Sequence, residues 1–384
     1  MIELLAPAGN FKCLSAAVNA GCDAVYFGLK EFNMRATAKN FNVSDLPKMR
    51  KMSKKLYLAL NTIIYDEELK KVEVIIKKAK KYVDAIICSD LAVMMICKKH
   101  KVPFHVSTQC SVSNSETAKF YKKLGAKRIV LARELNLKQI KKISKIIPVE
   151  VFVHGAMCVS VSGRCFTSQF LFNKSANRGE CLQPCRRSYF IKDEEGNQLR
   201  VKNNYIFSAK DLCALPFVKD LKKAGISAFK IEGRNREPEY VDKTVRAYRK
   251  AIDKDLSEKE IKKELKELKK VYNRKFSSGF FIKNPVNDFS DIEYSNATQT
   301  KRFVGKVKHY YDKIKVALVY MNAGEIKIGD EIIITGKTTP IIYHKIKSME
   351  INNKKVKKVK KGQEIAIKVP LCRKGDEIYK VVKK

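Results

Sequence analysis

The sequence predicts an α/β protein: a (β/α)8, TIM-like barrel with a cysteine-bearing insertion and a small C-terminal β-barrel. Three observations predict it. Eight short apolar runs alternate with segments of helical period, a stretch of over seventy residues interrupts that alternation before the last run, and apolar–polar alternation takes over from residue 301. At 384 residues the chain has room for one large domain and a smaller one.

The eight runs, rich in Val, Ile, Leu and Phe, are residues 2–6, 24–27, 56–60, 84–88, 104–106, 128–131, 149–153 and 228–231. Such runs suit strands buried on both faces, and the helical segments between them supply the crossovers of a parallel sheet. Eight strands favour a closed barrel over an open doubly wound sheet, although the count by itself admits either, and no nucleotide-binding glycine fingerprint follows the first run.

In a parallel barrel the residues just past each strand converge on the face where chemistry is done. Here they are polar: Asn10, Gly28, Asn61 and Thr62, Ser89 and Asp90, Ser107 with Thr108 and Gln109, Arg133 and Glu134, His154 and Gly155, then Glu232, Gly233 and Arg234. Singly, Gly and Asn open loops, and Ser, Thr and Asp cap helices. Charges and an imidazole at several ends of one barrel point to a site.

The first domain covers residues 1–255 and contains the insertion, 155–227, which sits over the catalytic face. After its cysteines, residues 188–192 and 198–201 flank a turn and read as a hairpin, and 211–223 as a helix. Residues 238–253 form the closing helix, with Pro238 at its start. A linker region, 256–300, carries a charged helix over 257–272. From 301 to 384 the runs 303–308, 313–320, 331–335, 341–346, 364–369 and 378–382, broken by Gly turns, form the small β-barrel.

Lys and Arg number 79 against 40 acidic residues, a net charge of +39 that points to a polyanionic partner such as RNA or DNA. Of the basic residues 63 are Lys and 16 Arg, a bias that genome composition or growth at high temperature also produces. The C-terminal barrel holds 22 basic and 8 acidic residues, and Lys354, Lys355, Lys357, Lys358, Lys360 and Lys361 crowd one hairpin. Such a module grips a nucleic-acid backbone, or it is a solvated edge that resists strand pairing. No stretch has the unbroken apolar length of a bilayer span and no basic leader opens the chain, so the expectation is a cytoplasmic protein without a membrane partner.

Eleven cysteines in so long a chain do not make a disulfide scaffold. Most sit singly in apolar surroundings and read as core. Cys158, Cys165, Cys181 and Cys185 lie within 28 positions, with six, fifteen and three residues between successive members. Four soft thiolates in a reduced compartment can enclose zinc or an iron-sulfur cluster, and the loose first pair favours iron-sulfur.

These residues carry a resemblance. Glu150, His154, Gly155 and Cys158, then Ser162-Gly163-Arg164-Cys165, then Asn177-Arg178-Gly179-Glu180-Cys181-Leu182-Gln183-Pro184-Cys185-Arg186 resemble the signature of the collagenase-like peptidases of unknown catalytic type, family U32. Leu5-Ala6-Pro7-Ala8-Gly9, Asp23 to Gly28, Asn33-Met34-Arg35-Ala36 and Lys230-Ile231-Glu232-Gly233-Arg234 extend it over essentially the whole chain. The family took its name from a reported collagenase activity, and its better understood members hydroxylate RNA.

The resemblance implies oxygen-independent hydroxylation of a pyrimidine at carbon five, with prephenate as co-substrate and a 4Fe-4S cluster on four cysteines. The length and single appended barrel look most like the branch acting on tRNA uridine rather than ribosomal RNA. By motif, Cys158, Cys165, Cys181 and Cys185 are the cluster ligands, with Cys213 replacing Cys185 in the pattern of some relatives. The base and the small acidic donor would lie among His154, Arg133, Glu134, Gln109, Asn61, Asp90, Lys230, Glu232 and Arg234.

Arg133, Arg234 and Arg35 suit carboxylates, since a guanidinium makes two parallel hydrogen bonds to such a group. His154 or Glu134 would move a proton, and Arg133 with Glu134 also reads as an ordinary capping ion pair. A peptidase is the second reading; five histidines, no His-Glu-x-x-His and no Gly-x-Ser-x-Gly offer it little. An iron-sulfur accessory or redox protein is the third. An electron-transfer partner is left open.

Overall fold

The structure, a computed structural model, describes residues 2–187, 189, 191–199, 207–292 and 294–384. Strands β1 (Glu3–Ala8), β2 (Ala24–Gly28), β3 (Leu56–Leu60), β4 (Ala85–Cys88), β5 (Phe104–Val106), β6 (Arg128–Val130) and β7 (Val149–Gly155) pair in parallel, each with the next. Within the 155–227 insertion, β8 (Ile191–Lys192) and β9 (Gln198–Leu199) form the expected hairpin, whose residues 188, 190, 200 and 201 lie outside the described ones. A short β10 (Asp211–Cys213) precedes β11 (Ala228–Ile231), which pairs in parallel with both β7 and β1 and so closes the eight-stranded barrel.

The crossovers are α1 (Phe11–Asn19), α2 (Leu46–Met52), α3 (Leu69–Ala79), α4 (Leu91–Lys99), α5 (Ser115–Leu124) and α6 (Leu137–Ser144). Their starts are fixed locally: Asn10 accepts the Cys13 N–H, Asp90 those of Ala92 and Val93, and Asn136 that of Gln139. The insertion adds α7 (Thr167–Phe172) and α8 (Val218–Lys223), and the chain continues through α9 (Pro238–Asp253) and α10 (Glu258–Leu268).

The helix expected over 211–223 is not one element. Its first residues are β10, antiparallel to the end of β7 through Leu212↔Gly155 and Cys213↔His154, followed by a 3-10 turn at Leu215–Phe217 before α8. Pro216 has no N–H to give, and Asp211–Cys213 is buried in the wall. The 256–300 segment is only partly helical: β12 (Phe276–Ser277) pairs with β10, and Phe289 bridges to Ala209.

Inside the barrel the layer at the N-terminal end of the strands is ionic. Glu150, 0% exposed, receives Lys230 Nζ at 2.7 Å and Arg128 Nη1 at 3.2 Å. Arg128 also reaches Glu3 at 2.7 Å, and Glu3 is held by Lys55 at 2.6 Å and the Tyr57 hydroxyl at 3.0 Å. Lys230, 3% exposed, lies 4.3 Å from the Tyr26 ring centre.

The C-terminal module is an antiparallel half-barrel. β13 (Gln299–Tyr311), β14 (Val316–Met321), β15 (Glu325–Lys327), β16 (Glu331–Thr335), β17 (Ile342–Lys345), β18 (Met349–Ile351), β19 (Lys354–Lys355), β20 (Lys358–Lys360), β21 (Glu364–Lys368) and β22 (Glu377–Lys383) make an eight-stranded sheet ordered β17-β16-β22-β13-β14-β21-β18-β19, with β15 and β20 paired separately. Bulges at Val307/His309 and Phe303/Gly305 curl it round its own apolar core. It docks on the barrel through Ser15 Oγ to the Thr339 carbonyl (3.1 Å), Lys301 between Glu237 (3.0 Å) and Glu239 (2.8 Å), and Ile333 and Ile341 in the barrel's core.

Candidate active site

The C-terminal ends of the strands enclose a cavity lined by Tyr26, Arg35, Asn61, Gln109, Lys230, Glu232 and Arg234, among others. Six of the sequence-predicted site residues are therefore brought together: Arg35, Asn61, Gln109, Lys230, Glu232 and Arg234. The cavity is small, about 50 Å³, so a ligand the size of a nucleobase enters only if lining side chains move aside. A larger cavity, about 590 Å³, lies in the cleft between α9, α10 and the half-barrel and contains none of the predicted site residues. The smaller one is where the chemical groups converge.

Its electrostatics are ordered by one carboxylate. Glu232 takes Arg35 Nη2 at 3.0 Å and Nε at 3.3 Å on the same oxygen. Burial alone would raise its pKa, but Arg35, Arg236 and Arg133 overcome burial and hold it at about 2. That value lies below the ordinary 4.5, so the stabilisation it gives is complete above that pH and is lost as pH falls toward 2. Asn33 accepts from Arg234 Nη1 at 2.9 Å. Asn61 Nδ2 donates to Ser107 Oγ (3.3 Å) and Gln109 Oε1 (3.2 Å), fixing both amides at the rim.

Arg133 stands beside this cavity, over the Phe152 ring at 4.9 Å, with Nη1 donating to the Ala156 carbonyl at 2.8 Å. Its Nε and Nη2 are buried with no hydrogen-bond partner. Burial draws its pKa down, and nearby Glu232 and Cys158 oppose that. Arg133 and Arg234 both lack a carboxylate partner among the described residues, whereas Arg35 and Lys230 have theirs. The one carboxylate whose charge reaches both is Glu232, which is already paired with Arg35, so cations outnumber carboxylates around the cavity.

Three predicted residues lie elsewhere. Asp90 is spent on capping α4, and Glu134 is exposed. His154 was expected past the end of its strand and facing the site. The register of β7 against β11 shifts there: Phe152 pairs with Lys230 but His154 with Ile231, Val153 being the extra residue, and this bulge turns the imidazole to the outside of the barrel. It packs against Tyr240, Tyr248 and Phe276, with ring centres 5.9, 5.6 and 5.5 Å away. The Tyr248 hydroxyl gives its proton to the Val153 carbonyl (2.7 Å), which leaves His154 Nδ1, 3.4 Å away, as the donor in their contact.

Burial pushes His154 down to about 3, with Glu232 opposing. An unfolded chain protonates this histidine below its ordinary 6.5 and the folded one does not, so stability falls as pH drops from 6.5 toward 3. The check is an NMR titration of the imidazole: His154 is expected to stay neutral down to about pH 5, and protonation near neutrality would contradict its enclosure.

The cysteine loop packs over the mouth. Gly179 (φ +91°) approaches so closely that a Cβ there would lie 2.2 Å from the Asn33 carbonyl oxygen, and its own carbonyl accepts the Ala36 N–H at 3.1 Å. Cys158, Cys165, Cys181 and Cys185 are free thiols, each at least partly exposed. Burial raises Cys185 to about 11; Arg186 draws it back, and the neighbouring Cys158, Cys181 and Cys165 push it further, so the four sulfurs share one neighbourhood. Burial notwithstanding, hydrogen bonds from Thr167 and Ser160 hold Cys165 below its ordinary value.

Among the described residues no three His, Cys, Asp or Glu side chains stand close enough to hold a single metal ion. A four-iron cube binds each thiolate to a different iron and spreads its ligands more widely than one ion does, and an all-thiol donor set fits it. Cys213 is buried in the wall, 3.9 Å from the Tyr248 hydroxyl.

Sequence reasoning missed Tyr26, Asn33, Phe152, Arg236 and Asp211. Tyr26 and Phe152 point inward by strand alternation, a signal present in their runs but read only as core. Asp211 is buried, with burial raising its pKa and Arg186, Arg236 and Arg274 opposing.

Fold and site together define a barrel protein whose strand ends form a buried, cation-rich cavity beneath a four-cysteine loop. The profile of peptidase family U32 matches residues 9–290, and the chain belongs to that family. An uncharacterized protease of Methanocaldococcus jannaschii is 42% identical over 99% of this chain and 98% of its own length. A collagenase of Porphyromonas gingivalis is 40% identical over 100% and 98%. The tRNA hydroxylation protein P1 of Bacillus subtilis is 33% identical over 90% and 86%. No described helix is long and apolar enough to cross a membrane.

Proposed function

We propose that this protein hydroxylates a pyrimidine of RNA, a tRNA uridine at carbon five, with prephenate as the small acidic co-substrate and a 4Fe-4S cluster on Cys158, Cys165, Cys181 and Cys185. The observation that carries it is the excess of guanidinium at the cavity: Arg133 and Arg234 make no ion pair, and the carboxylate near both, Glu232, is already held by Arg35. A donor with two carboxylates supplies the missing counter-charges. The relative named for tRNA hydroxylation, and the net charge of +39, support RNA as the other substrate.

The protein's own groups divide the work. Arg133 and Arg234 orient the donor, and Arg35 keeps Glu232 ionised so that the mouth stays balanced when the donor leaves. The Asn61 and Gln109 amides present donors and acceptors to a base extruded from its stack. The cysteine loop excludes water above. When bound to the four cysteines, the cluster would supply one-electron chemistry, with an electron-transfer partner as the source of electrons.

The relatives named collagenase and protease raise a peptidase reading. The site offers it little: His154 is enclosed by aromatic rings, and the Ser107 hydroxyl at the mouth is engaged by Gln109. The test is nucleoside mass spectrometry of RNA from cells lacking the protein, complemented with wild type, Arg133→Ala or Arg234→Ala. The hydroxylated pyrimidine is expected with wild type and to fall roughly tenfold or more with either variant, the loss of one charge-assisted pair. Identical profiles with and without the gene would end the proposal.

A further inference from the structure

The cysteine loop exposes more apolar surface than folding requires. At the start of α7, Phe166 and Phe170 are 62% and 83% exposed, and their rings lie 6.0 Å apart at an angle of 30°. A soluble protein rarely leaves two phenyl rings in water without a use for them. They follow Cys165 by one and five residues, on the same loop as the four cysteines.

Their surroundings select the occupant. Residues 156–187 contain five basic side chains and one acidic, Glu180, which Lys174 engages at 3.6 Å. The Arg187 guanidinium lies 4.5 Å from the Phe172 ring centre, and Arg178 lies 4.9 Å from that of the half-exposed Tyr65. Flat apolar faces interleaved with cations match a strand of phosphates bearing unpaired bases, because every base has a face to stack and every phosphate a charge to meet. Arg178 is already paired with Glu68, but an apolar protein surface would leave Arg187 and the net positive charge of the loop unmatched.

We propose that Phe166 and Phe170 form a stacking platform for unpaired bases flanking the target nucleotide of a single-stranded RNA segment. This rests on the RNA reading above and adds which surface receives the strand. The platform holds the neighbours while the target base turns into the barrel, so only RNA whose flanking bases are free is accepted.

The chain contains no tryptophan, so Phe170→Trp installs a single fluorescent reporter at the platform. This variant is titrated with an RNA stem-loop and with a fully paired duplex of the same composition, while anisotropy of end-labelled RNA follows wild type and F166A/F170A. Expected are quenching by the stem-loop and not by the duplex, and roughly tenfold or greater loss of stem-loop affinity in the double variant. Both rings are exposed, so circular dichroism of the variants should match wild type. Undiminished Trp emission and unchanged variant affinity, with wild type still binding, would overturn the platform and leave the RNA reading standing. Absence of RNA binding by wild type would remove both. A shift from dimer to monomer on gel filtration of F166A/F170A would assign the rings to a second copy of the chain and also overturn the proposal.

Discussion

Replacing any one of Cys158, Cys165, Cys181 or Cys185 by serine is expected to strip the protein of bound iron and abolish the hydroxylated nucleoside. Wild type purified without oxygen should be brown and carry about four irons per chain. A serine hydroxyl is a poor substitute for a thiolate toward iron, and with each ligand on its own corner of the cube the remaining three do not close the site. Cys213→Ser is the control. That thiol is buried against Tyr248 and raised to about 11 by burial, and none of the four loop thiols acts on it. Iron and sulfide assays with absorption spectra decide the matter. Full iron in Cys185→Ser with loss in Cys213→Ser would change the ligand set, and zinc without sulfide in wild type would replace the cluster.

Glu150→Ala is expected to be the most destabilising single change in the barrel, by about 3–5 kcal/mol. Glu150 is fully buried and is the carboxylate for Lys230 and a second one for Arg128, so truncation strands an ammonium and half-strands a guanidinium in the interior. The cost comes mostly from the charges left behind, not from the bond lost. Replacing the pair together, Glu150→Leu with Lys230→Met, is therefore expected to recover much of the stability, and chemical denaturation of the three proteins measures it. If the double variant were no more stable than Glu150→Ala, shape rather than charge would govern this layer.

The barrel was legible because parallel strands buried on both faces leave continuous apolar runs. β3, β5 and β11 occupy the residues expected, and α9 does as well. That Cys158, Cys165, Cys181 and Cys185 lie in one neighbourhood was legible from their spacing. His154 was not, because a bulge moves one residue from one side of a strand to the other without altering the composition that strand prediction reads. Asp90 shows the ordinary ambiguity of a carboxylate at a strand end, which serves a helix N-terminus as readily as a substrate. β10 was read as helix because its pairing partner is the distant end of β7, and no local pattern reports a long-range partner. In the half-barrel the lysine-rich segment 354–361 was read as one hairpin, but β19 pairs with β18 and β20 with β15, because too few apolar residues there show a period.

The seat of Gly179 on the Asn33 carbonyl has a thermodynamic corollary. The segment it presses carries Asn33, which grips Arg234, and Arg35, which grips Glu232. Whatever fastens the thiols above also stiffens the guanidiniums below, and linkage is reciprocal: occupancy overhead and anion affinity underneath must alter one another by the same factor.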